Sequence, residues 1–203
     1  MTSKAVLGVI LAAASAVSAQ AAYEINIVED RGNVVAFGSG SLDTRGLTYN
    51  TSLISYSNIH AGSGSIAIGS CACFDHYFGA SAVPFGVMGR GAGSFESFGP
   101  LVGIDSYGLM VPLWYVSGTE IGLSIATFRN TSFGTLGIVR GTYVVRWGSG
   151  DNADTLTIIA GSNRAIPIPP VPEPSAWALM IAAFGIVGAM MRKRYEGERR
   201  THS

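Results

Sequence analysis

Along most of the chain apolar and polar positions alternate with a period of two. Tyr23, Ile25 and Ile27 are interleaved with Glu24 and Asn26, and Leu123, Ile125 and Thr127 with Ser124 and Ala126. Tyr143, Val145 and Trp147 face one way while Val144 and Arg146 face the other, and Leu156 and Ile158 alternate with Thr155 and Thr157. A period of two places successive side chains on opposite faces of a strand, so each run predicts a half-buried β-strand. Further short strands are expected near Val34 to Phe37, Ile66 to Ile68, Phe95 to Phe98 and Leu109 to Val116. Glycine recurs between nearly all of them, as tight turns require, and no stretch carries a convincing helical period. The clearest pair is Gly141–Gly148 followed, after the polar loop Ser149–Ala153, by Asp154–Gly161, which reads as a hairpin. The expected body is mainly β: an antiparallel β-sandwich or jelly-roll-like domain.

Two apolar runs break the alternation, one at each end. Lys4, the stretch Ala5 to Val17 and the small residues Ser18-Ala19-Gln20-Ala21-Ala22 make the charged, apolar and cleavable parts of a secretory signal peptide. That run is too short and too rich in alanine and serine for a stable membrane span. The second run, Ala176 to Met191, contains only Ala, Trp, Leu, Met, Ile, Phe, Gly and Val, with no polar stripe on any helical face. It predicts a single C-terminal transmembrane helix. Sixteen residues at about 1.5 Å each reach roughly 24 Å, short of a hydrocarbon core of about 30 Å. Trp177 at one interface and the long stems of Arg192, Lys193 and Arg194 at the other bring the short span within reach. The same basic cluster stays cytoplasmic, which puts the body on the opposite side of the membrane.

The domain plan is therefore 1–21 signal peptide, 22–165 β-rich exported domain, 166–175 proline-rich spacer, 176–191 transmembrane helix and 192–203 basic cytoplasmic tail. The spacer Ile166-Pro167-Ile168-Pro169-Pro170-Val171-Pro172-Glu173-Pro174 cannot be helical and is expected to be extended, in a form that a peptide-cutting enzyme can thread.

Pro172-Glu173-Pro174, the apolar helix and the basic cluster together resemble the PEP-CTERM sorting signal of Gram-negative bacteria. The spelling Pro172-Glu173-Pro174-Ser175-Ala176-Trp177-Ala178 is similar to the P-E-P-x-x-W-A variant at every fixed position. The resemblance implies handling by an exosortase, a membrane-embedded cysteine transpeptidase, with Pro172, Glu173, Pro174, Trp177 and Ala178 as the recognition element. It implies anchoring at the inner membrane with the body in the periplasm, then transfer to the cell surface or outside. One departure is the extension Tyr195 to Ser203, longer and more acidic than the abrupt basic ending of the family. A weaker resemblance links the segment Val111 to Thr119 and the last hairpin to bodies found ahead of such tails.

Charge narrows the partners. The chain has zero formal net charge, yet residues 22–170 hold seven arginines, no lysine and ten acids, leaving the body at −3. A weakly acidic body without a basic stripe argues against nucleic acid as a partner. The only lysines are Lys4 and Lys193, so a phosphate-binding loop has no lysine, and no G-x-G-x-x-G occurs. No serine sits in G-x-S-x-G. His60 and His76 are the only imidazoles in the body and are expected at the surface or in loops.

Cys71-Ala72-Cys73-Phe74-Asp75-His76 is the one local cluster of reactive side chains. In an oxidising compartment Cys71 and Cys73 can join each other, a partner chain or a metal. On a regular strand their Cα atoms lie close to 7 Å apart, at the edge of disulfide geometry, so pairing needs a turn or bulge. Metal binding lacks the C-x2-C spacing and a second pair, so no metal and no cofactor is expected. Asp151, Asn152 and Asp154 have calcium-type oxygens without the twelve-residue loop pattern and read as a polar turn. Trp114, Tyr115, Tyr143 and Trp147 either pack the core or line a sugar-binding face. The reading is a noncatalytic exported cell-surface or matrix protein among exopolysaccharides. The alternative is a secreted carbohydrate-active hydrolase or carbohydrate-binding adhesin, which would need carboxylates converging in a cleft.

Overall fold

The computed structural model describes residues 22–70, 72–169, 181–184 and 186. The expected signal peptide lies outside the described residues, as do Pro172, Glu173, Pro174, Trp177, Ala178, Arg192, Lys193 and Arg194. Residues Ile181–Phe184 and Ile186, within the expected membrane segment, are helical. Among the described residues no helix is long and apolar enough to cross a membrane. The chain divides into two compact units between Ile166 and Pro167.

The first unit is a β-sandwich. Its strands are β1 (Ala22–Asp30), β2 (Asn33–Ser41), β3 (Thr48–Ser55), β4 (Asn58–His60), β5 (Ser65–Ile68), β6 (Ala72–Phe78), β7 (Ala92–Gly93), β8 (Glu96–Phe98), β9 (Val102–Ile104), β10 (Leu109–Pro112), β11 (Glu120–Phe128), β12 (Gly141–Trp147) and β13 (Asp154–Ala160). A single helical turn, α1 (Phe133–Leu136), follows β11. One sheet has the order β12-β13-β1-β2-β11-β8 and the other β3-β6-β10-β9-β5-β4-β7.

The alternation described above decides which side chains enter the core. Tyr23, Ile25 and Ile27 of β1 and Leu156 and Ile158 of β13 are fully buried between the sheets, with Val145 and Trp147 of β12 beside them. Ile66, Ile68, Val102, Ile104, Leu109 and Val111 supply the facing layer. Two smaller clusters sit apart from this core: Val28, Val35, Phe37 and Ile125, against which Ile166 packs, and Ala67, Phe74, Leu101 and Met110.

The β12–β13 hairpin forms in register from Gly141 opposite Ala160 to Trp147 opposite Asp154. β13 then pairs with β1 in parallel, Ala22 opposite Thr155 through Ile27 opposite Ala160. It is the one parallel pair among the described strands. The strand expected to run from Leu109 to Val116 stops at Pro112. Proline has no N–H for the ladder, and Trp114 then takes a left-handed backbone with φ 60°, which turns the chain away from the sheet.

Candidate functional site

The four aromatics singled out in the sequence separate sharply. Trp147 is buried, and its Nε1 donates to the Asp43 carbonyl at 2.7 Å. Tyr143 and Tyr115 are partly buried against the core. The Tyr115 hydroxyl accepts from the Leu42 N–H at 2.9 Å and donates to the Thr119 carbonyl at 2.6 Å. Trp114 alone is exposed, at 85%.

Below Trp114 lies a chain of polar groups. The Trp114 N–H donates to Asp75 Oδ2 at 2.9 Å, and Asp75 Oδ1 accepts from Ser52 Oγ at 2.6 Å. Ser52 Oγ lies 3.0 Å from the hydroxyl of Tyr49, which is exposed and packs edge-on against Tyr77 with ring centroids 5.7 Å apart. Asp75 is buried and stands opposite Ser52 on one side and core residue Val111 on the other, so it points to the inner face of its sheet. A bulky residue in the left-handed region costs roughly 1–2 kcal/mol, and a carboxylate that accepts its N–H holds it there. The result is an exposed indole whose main chain is fixed by a buried and fully engaged carboxylate, with the exposed Tyr49 phenol at the other end of the same hydrogen-bonded chain. Exposed aromatic rings of this kind can stack on a ring.

Asp75 and His76 are neighbours in sequence and therefore face opposite sides of β6. His76 is buried, not at the surface as expected. It lies edge-on between Phe74 and Phe78, with Nδ1 3.4 Å from Asn50 Nδ2 and Nε2 3.4 Å from Asp105 Oδ1. Ser52, His76 and Asp75 thus do not form a relay: the serine bonds the aspartate directly, and the imidazole faces away from both. His60 is exposed at the end of β4, with its ring close against Gly91. Cys73 is exposed on β6 opposite Ile54, whereas Cys71 lies outside the described residues and the pairing expected of the two falls there with it. Among the described residues no group of three His, Cys, Asp or Glu side chains could hold a metal ion.

Two acidic residues do meet, in a structural clasp. The Asp43 N–H donates to Asp154 Oδ2 at 2.5 Å, and the Asp43 carboxylate accepts from Ser117 Oγ at 2.9 Å and from the Arg45 guanidinium. Arg45 holds Asp43 down at about 2. Burial pushes Asp154 up, against the bonds it accepts from Asp43 and Thr155. The Asp151 carbonyl of the last hairpin takes a further Arg45 N–H at 3.1 Å, so this loop ties down a segment between β2 and β3.

Of the candidate-site residues, sequence reasoning named Trp114 and, within the cysteine cluster, Asp75; it missed Tyr49 and Ser52. The available signal was a lone carboxylate on the Cys73-Asp75-Tyr77 face, which a strand assignment for residues 72–78 would have shown to need a buried partner.

Residues 170–194 match the family model described as the PEP-CTERM protein-sorting motif. The chain therefore carries a PEP-CTERM sorting signal, which implies export, sorting toward the cell surface and an exosortase as the membrane partner. No curated protein and no solved structure matches the chain.

Proposed function

We propose that the protein is a noncatalytic surface module, anchored at the inner membrane by a helix over residues 176–191. An exosortase cuts it near Pro172–Pro174, and the β-sandwich is then retained among extracellular polysaccharides through the face around Trp114. The sorting motif at residues 170–194 carries this reading. Residues 162–169, which cross the boundary between the two units, have no regular secondary structure, which supports an extended segment ahead of the motif. The engagement of Asp43 and Asp154 in the clasp, and of Asp75 beneath Trp114, leaves these carboxylates bonded to fixed groups of the domain, which speaks for binding over hydrolysis.

Terminal mapping by mass spectrometry tests the processing. In cells with the exosortase the recovered chain is expected to end near Pro172–Pro174, and in cells without it the peptide Arg192–Ser203 remains attached. An intact Arg192–Ser203 peptide in both strains contradicts the cut. The glycan face is tested separately by Trp114→Ala, which is expected to weaken retention on the producing cell's exopolysaccharide roughly tenfold, the size of a lost aromatic anchor. Because Trp114 is 85% exposed, the unfolding midpoint should hold. Undiminished retention would remove Trp114 from the binding surface.

A further inference from the structure

A recess lies between the ends of β7 and β11 and the turn α1. It is a cavity of about 210 Å³ lined by Arg90, Arg129, Asn130, Thr131 and Thr135. Its chemistry runs against the charge of the domain. The body is weakly acidic, yet the charged side chains lining this cavity are two arginines.

Arg129 is held in position before any ligand arrives. Its guanidinium carbon lies 3.6 Å from the centre of the Phe95 ring, and Nη2 bonds Glu96 Oε1 at 2.5 Å. A planar guanidinium stacked on one face and paired at one edge keeps further N–H donors for a planar oxyanion, with less side-chain freedom left to lose. Arg90 is exposed and makes no ion pair among the described residues. Its main-chain N–H is bound to the Thr135 carbonyl, which fixes its root at the cavity wall.

Half of the neutral lining is polar, with Asn130, Thr131 and Thr135 beside Gly91, Ala92 and Leu136. Thr131 Oγ1 is buried and has no hydrogen-bond partner among the described residues. That oxygen has almost no accessible surface, so the neutral polar side chains open to a ligand in the recess are those of the exposed Asn130 and Thr135. Asn130 sits in the left-handed region with φ 53°, held by a bond from its N–H to Asn33 Oδ1 at 3.1 Å. Amide and hydroxyl groups can both donate and accept, which suits a ligand that carries hydroxyls beside its charge better than a bare inorganic ion.

The volume bounds the size. Pockets for drug-sized ligands run from about 300 Å³ upward, so 210 Å³ admits a single small unit. We infer that this cavity binds one uronic acid unit of an acidic polysaccharide, with its carboxylate between Arg90 and Arg129 and its ring hydroxyls on Thr135 and Asn130. The choice of a sugar rests on the reading above that the domain works among polysaccharides. The cavity and its two arginines do not depend on it.

The test is calorimetric titration of the full-length chain in detergent micelles with three probes: a glucuronic-acid disaccharide, its carboxyl-reduced neutral counterpart, and inorganic phosphate. The acidic disaccharide is expected to bind at least tenfold more tightly than the other two, and more weakly as salt rises. Arg90→Gln should lower that affinity roughly tenfold. Thr135→Val should lower it several-fold with the arginines intact. Wild-type unfolding midpoints for both variants establish that they fold. Equal binding of the acidic and neutral sugars, phosphate binding as tight as the uronate, or an unchanged affinity in a folded Arg90→Gln each overturns the inference. The purified chain is used throughout, so failure here is distinct from failure of tail processing or of retention through Trp114.

Discussion

Replacing Trp147 by alanine is expected to destabilise the domain by about 4 kcal/mol, the range for removing a large buried aromatic from a core. Two contributions meet at this residue. The indole is 5% exposed within the main cluster, and Nε1 donates to the Asp43 carbonyl. Trp147→Phe separates them: most of the apolar volume is retained and the carbonyl loses its donor, at an expected cost of about 1–2 kcal/mol. Urea unfolding followed by far-ultraviolet circular dichroism reads both. A loss below about 1 kcal/mol for the alanine variant would mean that the core closes without this residue.

Gly69→Ala is expected to cost about 3 kcal/mol by backbone geometry alone. Gly69 follows β5 with φ 97°, a conformation that L side chains rarely adopt, and an added Cβ would stand 2.0 Å from the Pro100 carbonyl oxygen. Neither side can yield easily. The Gly69 carbonyl accepts the Ser57 hydroxyl, and the Ser70 N–H is bound to the Gly99 carbonyl at 2.8 Å. Gly93 is the matched control: nothing lies within 4 Å of its added Cβ, so Gly93→Ala should stay within about 0.5 kcal/mol of wild type. If the two variants unfold at the same urea concentration, close approach at Gly69 is not a constraint on the fold.

The sequence made some of this fold readable and hid the rest for physical reasons. β1, β12 and β13 have one buried and one solvated face, and so show clean alternation. β3 escaped because it is an edge strand whose residues are mostly exposed on both faces, so Thr48–Ser55 carries no hydrophobic period. β6 escaped for the opposite reason: Phe74 and His76 are buried on its outer side while Asp75 is buried on its inner side, and a mixed pattern on both faces looks like a loop. Alternation also fixes which face is buried and says nothing about which strand lies alongside, so the parallel β1–β13 pair could not be read. The candidate site was half legible for the same cause. Trp114 stood out by type, but Ser52 and Asp75 are far apart in sequence and meet only across the β3–β6 ladder. The tail needed no fold at all, because a sorting signal is read as a linear string of residues.

The parallel pairing of β1 with β13 also has a consequence in time. Ala22 finds Thr155 only when nearly the whole domain has emerged, and closing so long a loop is slow compared with forming a hairpin. During export the first strand must wait with one ladder edge open. The last strand that satisfies it ends at Ala160, just ahead of the sorting signal. Completion of the sheet therefore waits on the last strand before the sorting signal, and a chain that lacks β13 has β1 as an unpaired edge in place of an interior strand.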